Sequence, residues 1–313
     1  MERDVFVHEV GLRDGLQSIA AIMPTADKKH WIAEEAAAGV PILQVGSFVP
    51  PARMPQLADT AELVAFARQL DGLQVTALVP NLRGAEMAIS AGVGTISYVL
   101  SVSELHNQAN VRRSVEESLV DFAKIVALRD TQDPSRQIRV SGGLATAFGC
   151  SLAGPTDIRD VMRAAERMAR DGADRIGIAD TVGHASPGHV KALFTELCST
   201  IGRHITIGAH FHDTRGLGLA NVFAALEAGV REFDGALGGL GGCPYAPGAT
   251  GNIVTEDLVF LLEAEGLRTG VDLDRLTGLR RWLEPKLAPE PTHGTFVKAG
   301  FPTGFRPGNW HQN

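Results

Sequence analysis

The sharpest chemical signal in this sequence is His210-Phe211-His212. Residues two apart on a β-strand point to the same side, and between Ile205 and His212 the alternate positions Ile205, Ile207, Ala209 and Phe211 are all apolar. The pattern predicts a strand with both imidazoles on one face, within about 7 Å of each other, a spacing that one metal ion accepts. The plain alternative is two satisfied polar residues at a strand end. Asp14 tilts the balance, because it offers a hard oxygen ligand, and Asn252 could offer another. A mixed nitrogen and oxygen set suits Mg²⁺ or Mn²⁺, with Co²⁺ and Zn²⁺ also acceptable. The site would be open, with water or substrate completing the shell, and the ion is expected to be catalytic.

A second signal is the segment from Gly238 to Pro244, with four glycines in seven residues. Such a loop lets the backbone approach a ligand or move over a site as a lid. Cys243 lies in it. A lone cysteine is often a small buried hydrophobe, but a thiol in a loop beside a cationic site could donate or accept a proton.

These residues need elements to bring them together. Eight short runs rich in apolar and β-branched residues recur at roughly Val5–Val10, Ile42–Val49, Gln74–Val79, Thr95–Leu100, Gln137–Leu144, Arg175–Ala179, His204–His210 and Glu232–Ala236. Between them lie stretches with helical spacing. After the seventh run, Leu219, Val222, Phe223 and Leu226 predict an amphipathic helix closed by Gly229; after the eighth, Val254, Leu258, Leu261 and Leu262 repeat the spacing and Gly266 follows. Eight strand-helix alternations predict a closed (β/α)₈ TIM barrel over residues 1–284. An open doubly wound sheet is disfavoured because no Gly-x-Gly-x-x-Gly follows the first strand. Residues 285–313, rich in proline, glycine and aromatics, read as an irregular C-terminal tail packed on the barrel or on a partner.

In such barrels the reactive groups sit at the C-terminal strand ends. The polar residues there are Arg13, Asp14 and Gln17 after strand one, Gln44 in strand two, Asp180 at the end of strand six, and His210 and His212 on strand seven. The glycine-rich loop and Asn252 follow strand eight.

Composition narrows the function classes. The formal net charge of −7, without a basic cluster, argues against binding nucleic acid. Three cysteines, Cys150, Cys198 and Cys243, describe no disulfide framework and fit a reducing, cytoplasmic setting. The N-terminus runs directly into Val5-Phe6-Val7, so neither a signal peptide nor a membrane span is expected. The expected partners are a small-molecule acyl-CoA or hydroxy acid substrate and further copies of the chain in a homo-oligomer.

The motifs resemble those of the 3-hydroxy-3-methylglutaryl-CoA lyase family. His8-Glu9-Val10-Gly11-Leu12-Arg13-Asp14-Gly15-Leu16-Gln17 is similar to its first-strand motif, and His210-Phe211-His212-Asp213-Thr214 to its seventh. The most specific match runs from Gly239 to Asn252, with Thr255-Glu256-Asp257 after it, and Ser47-Phe48-Val49, Pro80-Asn81-Leu82 and Phe148-Gly149-Cys150 fit in between. The resemblance implies a metal-dependent barrel lyase that splits a 3-hydroxy-3-methyl acyl-CoA into an acyl-CoA and a keto acid. It implies metal ligation by Asp14, His210, His212 and Asn252, support of the developing enolate by Arg13, and proton transfer through Cys243. Glu9, Gln17, Asp180 and Glu256 would be supporting groups. Asp14 or His210 could act as the base.

The chain departs from that pattern in places. Gln44 stands where the family usually has glutamate, Ser18-Ile19-Ala20 replaces an acidic residue and a lysine, and Ala109 replaces a lysine. The tail from about Trp282 does not match closely. Fewer lysines at the mouth would weaken contacts to CoA phosphates. Two other readings therefore stand beside the thioester lyase: a condensing synthase or aldolase on a free hydroxy keto acid, and a barrel that binds without catalysing.

Overall fold

Apolar faces that must be buried on both sides of a parallel sheet are satisfied here by closing the sheet on itself. The computed structural model describes residues 2–242 and 251–308. Eight parallel strands close in chain order: β1 (Phe6–Glu9), β2 (Ile42–Ser47), β3 (Gln74–Val79), β4 (Thr95–Ser101), β5 (Arg139–Ala145), β6 (Arg175–Asp180), β7 (Thr206–Phe211) and β8 (Glu232–Gly235). β1 pairs with β8, joining Phe6 to Glu232 and Glu9 to Gly235 in register. The expected TIM barrel is what forms, and the eight expected runs coincide with the strands to within about two residues at their ends.

The helices are α1 (Thr25–Ala37), α2 (Thr60–Ala67), α3 (Leu82–Ala91), α4 (Glu104–Val111), α5 (Val115–Asp130), α6 (Ile158–Arg170), α7 (Pro187–Thr200), α8 (Gly218–Glu227), α9 (Thr255–Ala264), α10 (Leu273–Leu287) and α11 (Phe296–Ala299). Outward strand positions such as Val75, Ala77 and Val79 on β3 are buried between sheet and helices. In α8, Val222 is buried as expected, but Phe223 is 40% exposed: one residue along turns it about 100° away from the seam. No helix among the described residues is long and apolar enough to cross a membrane.

The interior departs from the usual layers of bulky aliphatic side chains. Inward positions on β3, β4 and β5 carry Thr76, Ser97 and Ser141, and Gly143, Gly177 and Ala179 leave space beside them, all lining one cavity of about 1030 Å³. The opposite wall carries His8, Arg175, Glu232 and Asp234. Barrel closure therefore leaves a polar well open at the C-terminal strand ends.

α10 runs through Pro285 to Leu287, so the irregular course begins after it. That segment lies against the loop after β8: His293 N donates to Gly238 O (2.9 Å), and Arg280 Nη2 donates to His293 O (2.9 Å). Thr295 N and Phe296 N donate to the Asp257 carboxylate on α9. Glu290, Pro291 and His293 thereby reach the cavity wall.

Three carboxyls, Glu9, Glu35 and Glu256, are fully buried between β1, α1 and α9. Burial pushes all three above the usual carboxylate range, Glu9 to about 8. A raised folded-state value means that the unfolded chain releases these protons first. The associated stability is therefore complete below about pH 4.5 and is lost as pH rises through the folded values. Denaturant unfolding in chelator should show stability falling between pH 5 and pH 8, by at most about 1.4 kcal/mol per pH unit for each carboxyl involved. Glu35→Gln should remove one carboxyl's share of that slope; a flat or rising profile in the native chain contradicts the assignment.

Candidate functional site

The loop after β1 is shaped by a single buried carboxyl group. Glu9 accepts hydrogen bonds from Gly11 N (2.7 Å), Leu237 N (3.0 Å) and the Thr255 hydroxyl. It thus ties together the turn carrying Arg13 and Asp14, the start of the glycine-rich loop and the N-terminus of α9. Residues Gly11–Gly15 form a π-helical turn, a feature that often marks functional sites. Glycine is required at its start, where a Cβ on Gly11 would come within 2.6 Å of Glu9 Oε1.

The turn aims Asp14 at the end of β7. Asp14 Oδ2 lies 4.0 Å from His210 Nε2 and 3.8 Å from His212 Nε2, and the two Nε2 atoms are 3.1 Å apart. All three donors lie within 4.8 Å of one another, so Asp14, His210 and His212 could hold one metal ion. Two ligand nitrogens at right angles on an ion with bonds of about 2.1 Å stand about 3 Å apart, close to the spacing observed.

Asn252 joins the same group. His212 and Asn252 form an isolated antiparallel bridge, and Asn252 Nδ2 donates to Asp14 Oδ2 and to Leu240 O, both at 2.8 Å. Among the described residues its Oδ1 is buried without a hydrogen-bond partner, and so is His212 Nδ1. An orphaned amide oxygen beside a carboxylate and two imidazoles fits a cation ligand, because a cation is what would satisfy it. The nitrogen and oxygen donors fit a divalent ion.

Charge in the pocket is balanced by Arg13. Its Nη1 donates to Asp14 Oδ1 and its Nε to Gln44 Oε1, while Gln17 Nε2 donates to Asp14 Oδ1 at 2.8 Å. Burial alone would raise the Asp14 carboxyl, but the Arg13 guanidinium and the neighbouring imidazoles outweigh it and hold the group well below the usual range. Asp14 is therefore a carboxylate at neutral pH. Arg13, Asp14, Gln17, Gln44, His210 and His212 all line the 1030 Å³ cavity, with Gly239–Gly242 on its wall.

Other residues singled out in the sequence lie further out. Asp180 turns away and accepts from His184 N (2.8 Å) and Ala185 N (3.0 Å), fixing the segment after β6. Glu256 accepts from Arg280 Nη1 (2.8 Å) and Gly238 N (3.2 Å), which anchors the loop from below. Cys243 lies outside the described residues. The sequence reading passed over His8, Arg175, Glu232 and Asp234, which form the charged wall beneath the imidazoles. Glu232-Phe233-Asp234 carries the same two-residue alternation as His210-Phe211-His212 and was a usable signal.

Known proteins resemble this chain along most of its length. The HMGL-like family model matches residues 4–283. Hydroxymethylglutaryl-CoA lyase YngG of Bacillus subtilis is 37% identical over 285 residues, covering 91% of this chain and 94% of its own length. The (R)-citramalyl-CoA lyase of Chloroflexus aurantiacus is 39% identical over 306 residues, 95% of each protein. The structure of an HMG-CoA lyase from Acinetobacter baumannii in complex with coenzyme A and 3-methylmalate superposes with a TM-score of 0.88 at 40% identity, over 97% of both chains.

Removing a ligand without disturbing the barrel tests the site. His212→Ala should keep the far-ultraviolet spectrum of the native chain and bind Mn²⁺ at least about tenfold more weakly by titration calorimetry. Unchanged affinity would place the ion elsewhere.

Proposed function

The chain belongs to the HMGL-like family, and from that premise we propose that it cleaves 3-hydroxy-3-methylglutaryl-CoA, or a related branched 3-hydroxyacyl-CoA, into an acyl-CoA and a keto acid. It is a carbon–carbon lyase of the CoA-thioester type; the finer choice of acyl group rests on the relatives, which include both hydroxymethylglutaryl-CoA and citramalyl-CoA lyases. The observation that carries the reading is the convergence of Asp14, His210 and His212 beside Arg13 in a cavity of about 1030 Å³.

The reaction breaks the bond between C2, next to the thioester carbonyl, and C3, which bears the hydroxyl. The hydroxyl gives up its proton, C3 becomes a ketone, and the bonding pair passes to C2 as an enolate that is then protonated. A divalent ion held by Asp14, His210, His212 and Asn252 would acidify the C3 hydroxyl and offset the developing negative charge. Arg13, fixed between Gln44 and Asp14, presents a guanidinium whose place does not need to be found during the reaction, the condition under which such a group stabilises an enolate oxygen. In this reading a carboxylate oxygen of Asp14 takes the hydroxyl proton, since His210 has no lone pair left when Nε2 holds an ion and Nδ1 carries its proton, and Cys243 is assigned delivery of a proton to C2. In this reading residues 1–284 form the catalytic barrel and 285–313 a tail, of which His293 is bonded to Gly238 at the start of the glycine-rich loop.

Family membership favours this over a synthase or aldolase on free acids and over a barrel that only binds. Purified protein with Mg²⁺ or Mn²⁺ should release acetyl-CoA from 3-hydroxy-3-methylglutaryl-CoA or citramalyl-CoA, and chelator should abolish the release. Turnover of the free hydroxy acids without any thioester turnover would reject the proposal. Cys243→Ser should leave Mn²⁺ affinity within about twofold of the native value while slowing turnover at least about 100-fold, in line with loss of a general acid-base group. Native turnover in that variant removes the thiol from the reaction.

A further inference from the structure

His210 and His212 differ in what stands behind them. Among the described residues His212 Nδ1 is buried without a hydrogen-bond partner. His210 Nδ1 instead lies 3.2 Å from Asp234 Oδ2, on the strand next to its own, and the two residues are direct partners in the β7 and β8 register. The other oxygen of that carboxylate, Oδ1, accepts from Arg175 Nη2 at 2.8 Å, and Arg175 Nε donates to Glu232 Oε2 at 2.8 Å. His8 Nε2 stands 2.9 Å from the same Glu232 oxygen. The side chains of His8, Arg175, Glu232 and Asp234 are between 11% and 15% exposed, so few alternative positions are open to them.

The backbone is cut to admit this cluster. A Cβ on Gly208 would stand 2.1 Å from Arg175 Nη2, and one on Gly177 would stand 3.0 Å from Arg175 Nη1. Gly208 is two residues before His210 and shares its face of β7. The guanidinium thus occupies the place of the side chain that β7 omits, one step below the imidazole, and from there it grips Asp234.

We propose that Asp234, clamped by Arg175 across Gly208, is a positioning residue that holds His210 in the Nδ1–H tautomer and so presents a bare Nε2 toward Asp14 and His212. A neutral imidazole carries one ring proton, and the hydrogen bond made by one nitrogen decides which nitrogen is left as an acceptor or ligand. Asp234 can only accept at Oδ2, so the proton resides on Nδ1. His212 has no such partner and stays free to carry its proton on Nε2, donating it across the 3.1 Å gap to His210 when no cation is bound. His210 is therefore the preset ligand and His212 the adaptable one.

The metal part of this inference rests on the proposed function; the tautomer part does not. The test is made on the full chain. In metal-free protein labelled with ¹⁵N-histidine, with His210 assigned by its loss in H210Q, the His210 nitrogens should report the Nδ1–H form. Asp234→Asn should shift that signature and weaken Mn²⁺ binding by about 10- to 100-fold. A native His210 in the Nε2–H form overturns the proposal without any variant, and so does an Asp234→Asn protein that melts earlier but keeps the native tautomer and affinity. A native chain that shows the Nδ1–H form yet binds no Mn²⁺ at Asp14 refutes the metal-dependent function while upholding the role of Asp234.

Discussion

Two imidazole nitrogens 3.1 Å apart repel through their lone pairs unless a proton or a cation lies between them. The upper half of this barrel is organised around that constraint. Asp14 supplies the negative charge that makes a cation welcome, Asn252 offers an amide oxygen with no other partner among the described residues, and Asp234 settles which nitrogen of His210 stays bare. One arginine balances each of the two carboxylates: Arg13 on Asp14 and Arg175 on Asp234. Without those guanidinia the site would gather negative charge on side chains only 13% and 14% exposed, where water screens it weakly.

Holding the constraint requires three remote stretches of chain to be fixed against one another. β7 carries the histidines, the turn after β1 carries the carboxylate, and the segment before α9 carries Asn252. Glu9 joins the last two through Gly11, Leu237 and Thr255, and the bridge between His212 and Asn252 joins the third. The loop after β8 is held from beneath by Glu256 and Arg280, and from the side by His293. Closure of the barrel is thus the precondition of the chemistry, since β1 and β8 become neighbours only when the sheet closes.

Much of this was legible in the sequence because local pattern determines it. Strand alternation placed His210 and His212 on one face before any neighbour was known, and the eight apolar runs appeared as strands within about two residues at their ends. The parts that could not be read depend on register. His210 faces Asp234 because β7 and β8 pair in one particular alignment, and Arg175 reaches both acids only because β6 stands beside β7 with two glycines clearing its path. Phe223 shows the opposite limit: its spacing suggested burial, yet one step around α8 separates seam from solvent. Periodicity identifies a face more reliably than it identifies the edge of that face.

The neutral amide of Gln44 has a consequence for the charge that the cavity presents. A glutamate there, as in the family pattern, would sit against Arg13 Nε and divide its charge between two carboxylates. Gln44 accepts the same hydrogen bond through Oε1 without adding a negative charge, so Asp14 is the only anion bonded to Arg13 among the described residues. The guanidinium keeps its orientation while less of its charge is neutralised, which leaves more attraction for an anionic oxygen entering the well. Thr76, Ser97 and Ser141 on the facing wall add hydroxyls, while Arg113 and Arg139 also line the cavity. An anionic oxygen in the well is favoured at the Arg13 end, where the guanidinium is held by Gln44 and Asp14.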